Sequence, residues 1–175
     1  MRGDWVAPYG KGEVPDFVYA VQWKSYGRNE SRHLRYEAQM ELTFGSQGDG
    51  LFEVHVPYHA PPRGSVYRMP RMAPEDGYAP KYARSQFRSD NSRSPEQPQD
   101  MNYFFRIRTR RNADGEITSA LYGKIHGCIQ VGVVDAGACI EMGYYLNPTP
   151  NDRNTEFDPK RNLFKLESYQ RVNDP

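Results

Sequence analysis

The sequence predicts an all-β fold, an antiparallel β-sandwich of jelly-roll or immunoglobulin-like type, with about seven or eight strands and a long irregular insertion. Three observations carry that prediction. In 34–44 the residues Leu34, Tyr36, Ala38, Met40, Leu42 and Phe44 alternate with Arg35, Glu37, Gln39, Glu41 and Thr43. In 121–133 the residues Leu121, Ile125, Ile129, Val131 and Val133 alternate with Tyr122, Lys124, His126, Cys128 and Gln130. A period of two places the two sets on opposite faces of a pleated strand, whereas a helix would need apolar residues three and four apart. Third, glycine, asparagine and proline clusters punctuate these runs at turn spacing, and no segment has helical periodicity.

Composition sets the limits of the core. At 175 residues the chain suits one domain, with 1–15 as a flexible arm and 16–175 as a single sandwich carrying a loop at 59–101. Leu, Ile, Val and Phe number 31 of 175, which is low for a packed domain. The net charge of only +1 argues against a disordered chain, and 13 tyrosines supply the missing apolar area. No apolar run reaches the 18 or so residues that span a bilayer, so a soluble chain without a membrane span is expected. The same near-neutral charge argues against a nucleic-acid partner, although Arg35, Arg106, Arg108, Arg110 and Arg111 could form a basic stripe. Seventeen arginines against six lysines point instead to planar, bidentate contacts.

Taken in order, the first strand falls at 16–23, where Phe17, Tyr19, Val21 and Trp23 alternate with Val18, Ala20 and Gln22, and 24–31 is a turn. The second runs over 33–44, and the third over 51–58 with Phe52, Val54, Val56 and Tyr58 on one face. Seven prolines then break the rhythm through 59–101, leaving no expected strand there, with 85 onward the most mobile part. Strands return at 102–110 and 116–134, joined by RNADG, with Thr109 expected opposite Ile117 and Phe105 opposite Leu121. A hairpin with Ala136–Gly137 at its tip then pairs Val133 with Ile140 and Ile129 with Tyr144. The polar stretch 147–161 leads to a short last strand at 162–172.

Function is expected in the insertion. Tyrosine and arginine are the residues of sugar platforms and protein interfaces, and the insertion concentrates both. Tyr58, Tyr67, Arg68, Arg71, Tyr78 and Tyr82 are therefore the expected ligand-binding residues of a non-catalytic module that contacts carbohydrate or a protein surface. The alternatives are a self-assembling homo-oligomeric subunit that uses its arm and the 147–161 loop, and a carbohydrate-active enzyme with an unrecognised site.

Catalytic and metal patterns are weaker. Asp152, Asn154, Glu156 and Asp158 recur at calcium-loop spacing, but Phe157 and Leu163 stand where the loop needs glycine and glutamate. His126 and Cys128 sit two apart, like a nucleophilic dyad with no third member. Glu37 and Glu41 resemble a carboxylate pair for glycoside hydrolysis, which a solvated strand face explains more cheaply. No Walker loop, dinucleotide fingerprint, nucleophile elbow or zinc spacing occurs. No catalytic residue, metal or cofactor is assigned, and Cys128 and Cys139 are expected as free thiols.

Overall fold

The computed structural model describes residues 15–56, 69–96, 98–158 and 160. Seven strands occur among them: β1 (Phe17–Arg28), β2 (Leu34–Phe44), β3 (Gly50–His55), β4 (Lys81–Arg88), β5 (Met101–Arg111), β6 (Ile117–Val134) and β7 (Gly137–Asn147). They form two antiparallel sheets, β1-β2-β4 and β3-β5-β6-β7. The expected β-sandwich is present, and the sheets do not close into a barrel. The first six strands follow the 1-2-4 and 3-5-6 order of an immunoglobulin-type sandwich without its fourth strand, and β7 extends the second sheet. No helix among the described residues is long and apolar enough to cross a membrane. The arm at 1–14 and the expected strand at 162–172 lie outside the described residues.

The core is built from the alternating rows. Phe17, Tyr19, Ala38, Met40 and Leu42 of one sheet meet Leu51, Tyr103, Phe105, Ile107, Leu121, Ile125, Ile129, Val131 and Val133 of the other. Phe17 lies edge-on to Phe105 at 5.4 Å between ring centroids, and the Tyr19 hydroxyl donates to Met142 Sδ at 3.2 Å. Burying one such side chain contributes about 1.5–3 kcal/mol before chain entropy is counted. Gly123 is required by this packing, because a Cβ there would run into the Phe105 ring and the Tyr145 carbonyl.

Both hairpins of the second sheet are displaced from the expected registers. Ile107 pairs with Leu121 and Phe105 with Gly123, two residues away, while Val131 pairs with Ile140 around a turn at Asp135–Ala136, and beyond Gly127 it is Ile125 that pairs with Tyr144, four residues away. An even shift preserves which face each residue occupies, so the apolar rows still share the core. For β5 and β6 the shift is set at the turn, where Asn112 N donates to Glu116 O and Arg111 pairs with Ile117. A bulge follows at Arg108 and Thr109, where Arg108 takes a left-handed φ of 56°, and the ladder resumes the same alignment beyond it. The buried Asp49 carboxylate accepts both bulge amides, Arg108 N at 3.1 Å and Thr109 N at 2.9 Å. The second bulge, at Gly127 with φ 80°, is held by buried Asn102, whose Oδ1 accepts from Gly127 N at 3.0 Å.

Two features of the chain depart from expectation. Strand β1 continues to Arg28 through the expected turn, and β4 forms inside the insertion, in part over residues expected to be mobile. Strand β4 escapes an apolar-alternation test because its partly buried row is Tyr82, Arg84, Gln86 and Arg88, with one apolar ring among four residues. It is held instead by its ladder to β2, from Tyr36–Arg88 to Thr43–Lys81.

The remainder of the described insertion covers the outer face of the four-stranded sheet. Met69, Ala73 and Tyr78 pack on Phe52, Val54, Phe104, Ala120 and Tyr122, forming a second apolar cluster. Residues 71–73 bond to 153–155: Ala73 N donates to Arg153 O, and Thr155 N to Arg71 O, each at 2.8 Å. Asn151 caps the open edge of β6, exchanging bonds with Ala120 N, Ala120 O and Thr118 O. As a result Phe104, Arg106, Tyr122 and Lys124, the expected solvent-facing row, are all buried.

Candidate functional site

Of the expected ligand-binding residues, the three that are described, Arg71, Tyr78 and Tyr82, sit in different places. Tyr58, Tyr67 and Arg68 lie outside the described residues. The Tyr82 ring packs against the main core edge-on to Tyr103 at 5.4 Å, with the two hydroxyls 3.2 Å apart. Tyr78 belongs to the second cluster, where its hydroxyl donates to Pro74 O at 2.8 Å and the Arg106 guanidinium lies 4.6 Å from its ring centre. Burial pushes its phenol well above the ordinary range, so it stays neutral. The Arg71 backbone joins the 71–73 bridge, and its Nε donates to Asn154 Oδ1 at 3.3 Å.

The outer face of the three-stranded sheet is different. Register aligns Lys24, Glu37 and Phe87 in one row, Gln22, Gln39 and Ser85 in the next, then Ala20, Glu41 and Ala83. Nearly all of these side chains are exposed. At one end of the face, Tyr26, Arg35, Tyr36, Glu37, Phe87 and Arg88, with the turn at Ser89 and Asp90, line a groove of about 230 Å³. Tyr26 and Phe87 are each 41% exposed, unusual for aromatic rings on an otherwise polar surface.

The groove has a fixed frame. Arg35 donates to Asp90 Oδ2 at 3.2 Å and to Tyr26 O at 2.8 Å, tying β1, β2 and the turn after β4 together. That turn is closed by Ser89 and Ser92, and by reciprocal bonds between Phe87 and Ser94. Desolvation and the neighbouring Glu37 carboxylate raise the Tyr26 phenol pKa, and Lys24 Nζ lies 5.0 Å from the Tyr26 ring centre. Arg88 lines the groove from the partly buried row of β4 and makes no ion pair among the described residues.

A second recess of about 190 Å³, at Pro15, Asp16, Ser46, Asp49, Arg108, Thr109 and Arg110, is committed to structure. Arg108 grips Asp16 bidentately at 2.9 and 2.8 Å, and Asp49 holds the bulge. Burial raises the Asp49 pKa, opposed by its bonds from Thr109 and Arg108.

The remaining expected constellations are placed as follows. Arg106 is buried and donates to Gly48 O and Glu75 O, so the arginine stripe does not form as a continuous surface. Burial raises the Cys128 thiol pKa, partly offset by Arg84, and the thiol donates toward Pro98 O. That is the reverse of what an activated thiolate needs. Cys128 and Cys139 are free thiols. Glu41 pairs with Lys81 at 2.6 Å. Asp152 and Asn154 turn their side-chain oxygens back on the amides of Asn154 and Glu156, the capping habit of such residues in turns. Among the described residues no group of three or more His, Cys, Asp or Glu could hold a metal ion.

Sequence reasoning missed Tyr26, Phe87 and Arg88 as site residues. An available signal was parity: Tyr26 continues the polar side of β1 as an aromatic, and Phe87 is an aromatic among Ser85, Arg88 and Ser89. Comparison with protein families, with curated proteins and with solved structures returned no match to this chain.

Proposed function

We propose that this protein is a non-catalytic binding module that engages carbohydrate or a protein surface through the outer face of its three-stranded sheet, centred on the groove at Tyr26, Glu37 and Phe87. The observation that carries this reading is the asymmetry of the sandwich: the outer face of the four-stranded sheet is covered over β3, β5 and the first half of β6, while the face of β1, β2 and β4 is uncovered among the described residues and presents two exposed aromatic rings. Concave surfaces with aromatic walls and a few convergent polar groups are the usual form of a binding site. The insertion still contributes, because β4 and its turn form one wall of the groove. A non-catalytic role is favoured by the commitments of the acidic residues elsewhere, which cap amides or pair with basic side chains.

Screening the protein on a glycan array, and following hydrogen exchange of Tyr26, Glu37 and Phe87 across a concentration series, tests the reading. Protection of these amides by a glycan, a protein or a second copy of the chain is expected. If every partner found protects the far side of the molecule and leaves β1, β2 and β4 unchanged, the reading fails.

A further inference from the structure

We infer that the ligand of this groove is a neutral saccharide of at least three rings, the first stacked on Tyr26 and the third on Phe87, with Glu37 accepting hydroxyls between them; this rests on the outer face being the binding surface.

Charge supports neutrality. Arg35 and Arg88 balance Glu37 and Asp90, so the groove attracts neither sign as a whole. A cationic ligand would compete for Tyr26 with Lys24, which already lies against that ring. An anion would meet Glu37 and Asp90. A neutral polyol avoids both problems.

The distribution of polar and apolar groups supports a sugar over a greasy side chain. A protein anchor needs a pocket that excludes water, whereas this groove opens onto Gln22, Gln39, Ser85 and Lys24, all exposed. Sugar rings carry apolar C–H faces and a rim of hydroxyls. The C–H faces suit aromatic platforms, and the hydroxyls suit carboxylate and guanidinium partners, which make the stronger charge-assisted bonds. Glu37 offers the acceptors.

Spacing supports more than one ring. Strands β1 and β4 flank β2, so platforms on them stand about two strand spacings, ~10 Å, apart. That separation is about two sugar residues along a glycan chain, so it suits the first and third rings of a trisaccharide rather than neighbouring rings or the two faces of one sugar. The Gln22, Gln39 and Ser85 row continues the surface for a longer chain.

The test is a ¹⁵N-NMR titration of the full chain with cellotriose, maltotriose, mannotriose and N,N′,N″-triacetylchitotriose, repeated on Tyr26→Ala, Phe87→Ala and Glu37→Gln. At least one trisaccharide should shift the amides of Tyr26, Glu37, Phe87 and Ser89. Its affinity should fall about tenfold or more in each alanine variant, at unchanged thermal midpoint. Four silent titrations overturn the saccharide. If the same amides then respond to a protein or to self-association, the outer face survives as the binding surface; if they respond to nothing, both readings fall. Binding that is equally strong in Tyr26→Ala and Phe87→Ala also overturns the stacked geometry.

Discussion

The two outer faces of the sandwich carry similar sequence patterns and have opposite fates. Glu37, Gln39 and Glu41 on β2 face solvent or lie at its edge, whereas Phe104, Arg106, Tyr122 and Lys124, at the matching parity on β5 and β6, are buried under 69–79 and 148–157. Alternation fixes which residues share a face. It does not fix whether water reaches that face, because the cover comes from segments remote in sequence. The difference also separates two kinds of polar residue: on the covered sheet they are bonded and structural, and on the bare sheet they remain available to a ligand.

Breaking the cover should have the largest effect. Arg106→Ala removes the stack on Tyr78 and leaves the Gly48 and Glu75 carbonyls without their donor, a loss of about 3–4 kcal/mol in urea unfolding. Met69→Ala, which empties a site with no solvent exposure, should cost about 2–4 kcal/mol. Values below about 1 kcal/mol for both would mean that the cover is only loosely attached.

Lys124 tests the same face with the opposite sign. Its side chain is fully buried, and burial lowers its pKa from the ordinary 10.5 to about 8, against the opposing pull of Glu156. Between those values the unfolded chain holds a proton that the folded protein has released. Stability therefore rises with pH across that window and is lower at pH 7. Lys124→Met removes the cost and should raise stability at pH 7 by roughly 2 kcal/mol. The gain should shrink toward pH 10, as read from urea midpoints at pH 7 and 9.5. A destabilised variant at pH 7 would show that the ammonium is favourably held.

The bare face should show the smallest effects. Glu41→Ala breaks an exposed pair with Lys81, and Ser85→Ala alters an exposed position, so each should stay within about 0.5 kcal/mol. A loss above 1.5 kcal/mol from Ser85→Ala would erase the contrast between the faces.

These contrasts mark what was legible in the sequence. The rows Leu34 to Phe44 and Leu121 to Val133 announced strands, because side-chain parity is a local property. Strand β4 was not legible: its inward row is mostly polar, and its existence depends on β2 beside it. The register shifts were hidden in the turns, where the Asn112 side chain and backbone bind Glu116 and choose the closing pair, a choice that side-chain parity does not report. The groove was the least legible, because Tyr26, Glu37 and Phe87 come from three strands and meet only through the ladder. Tyr78 and Tyr82, expected at a ligand-binding surface, pack against the two apolar clusters, a placement that tyrosine content alone does not reveal.

Asp49 reaches across some sixty positions of chain to decide how Arg108 and Thr109 sit. A peptide spanning only 101–134 would lack that clamp and would be at liberty to run its ladder straight from Ile107–Leu121 to Arg111–Ile117, with Thr109 facing Ser119. The kink in this ribbon is thus a property of the assembled molecule, acquired only once the loop ahead of β3 has arrived.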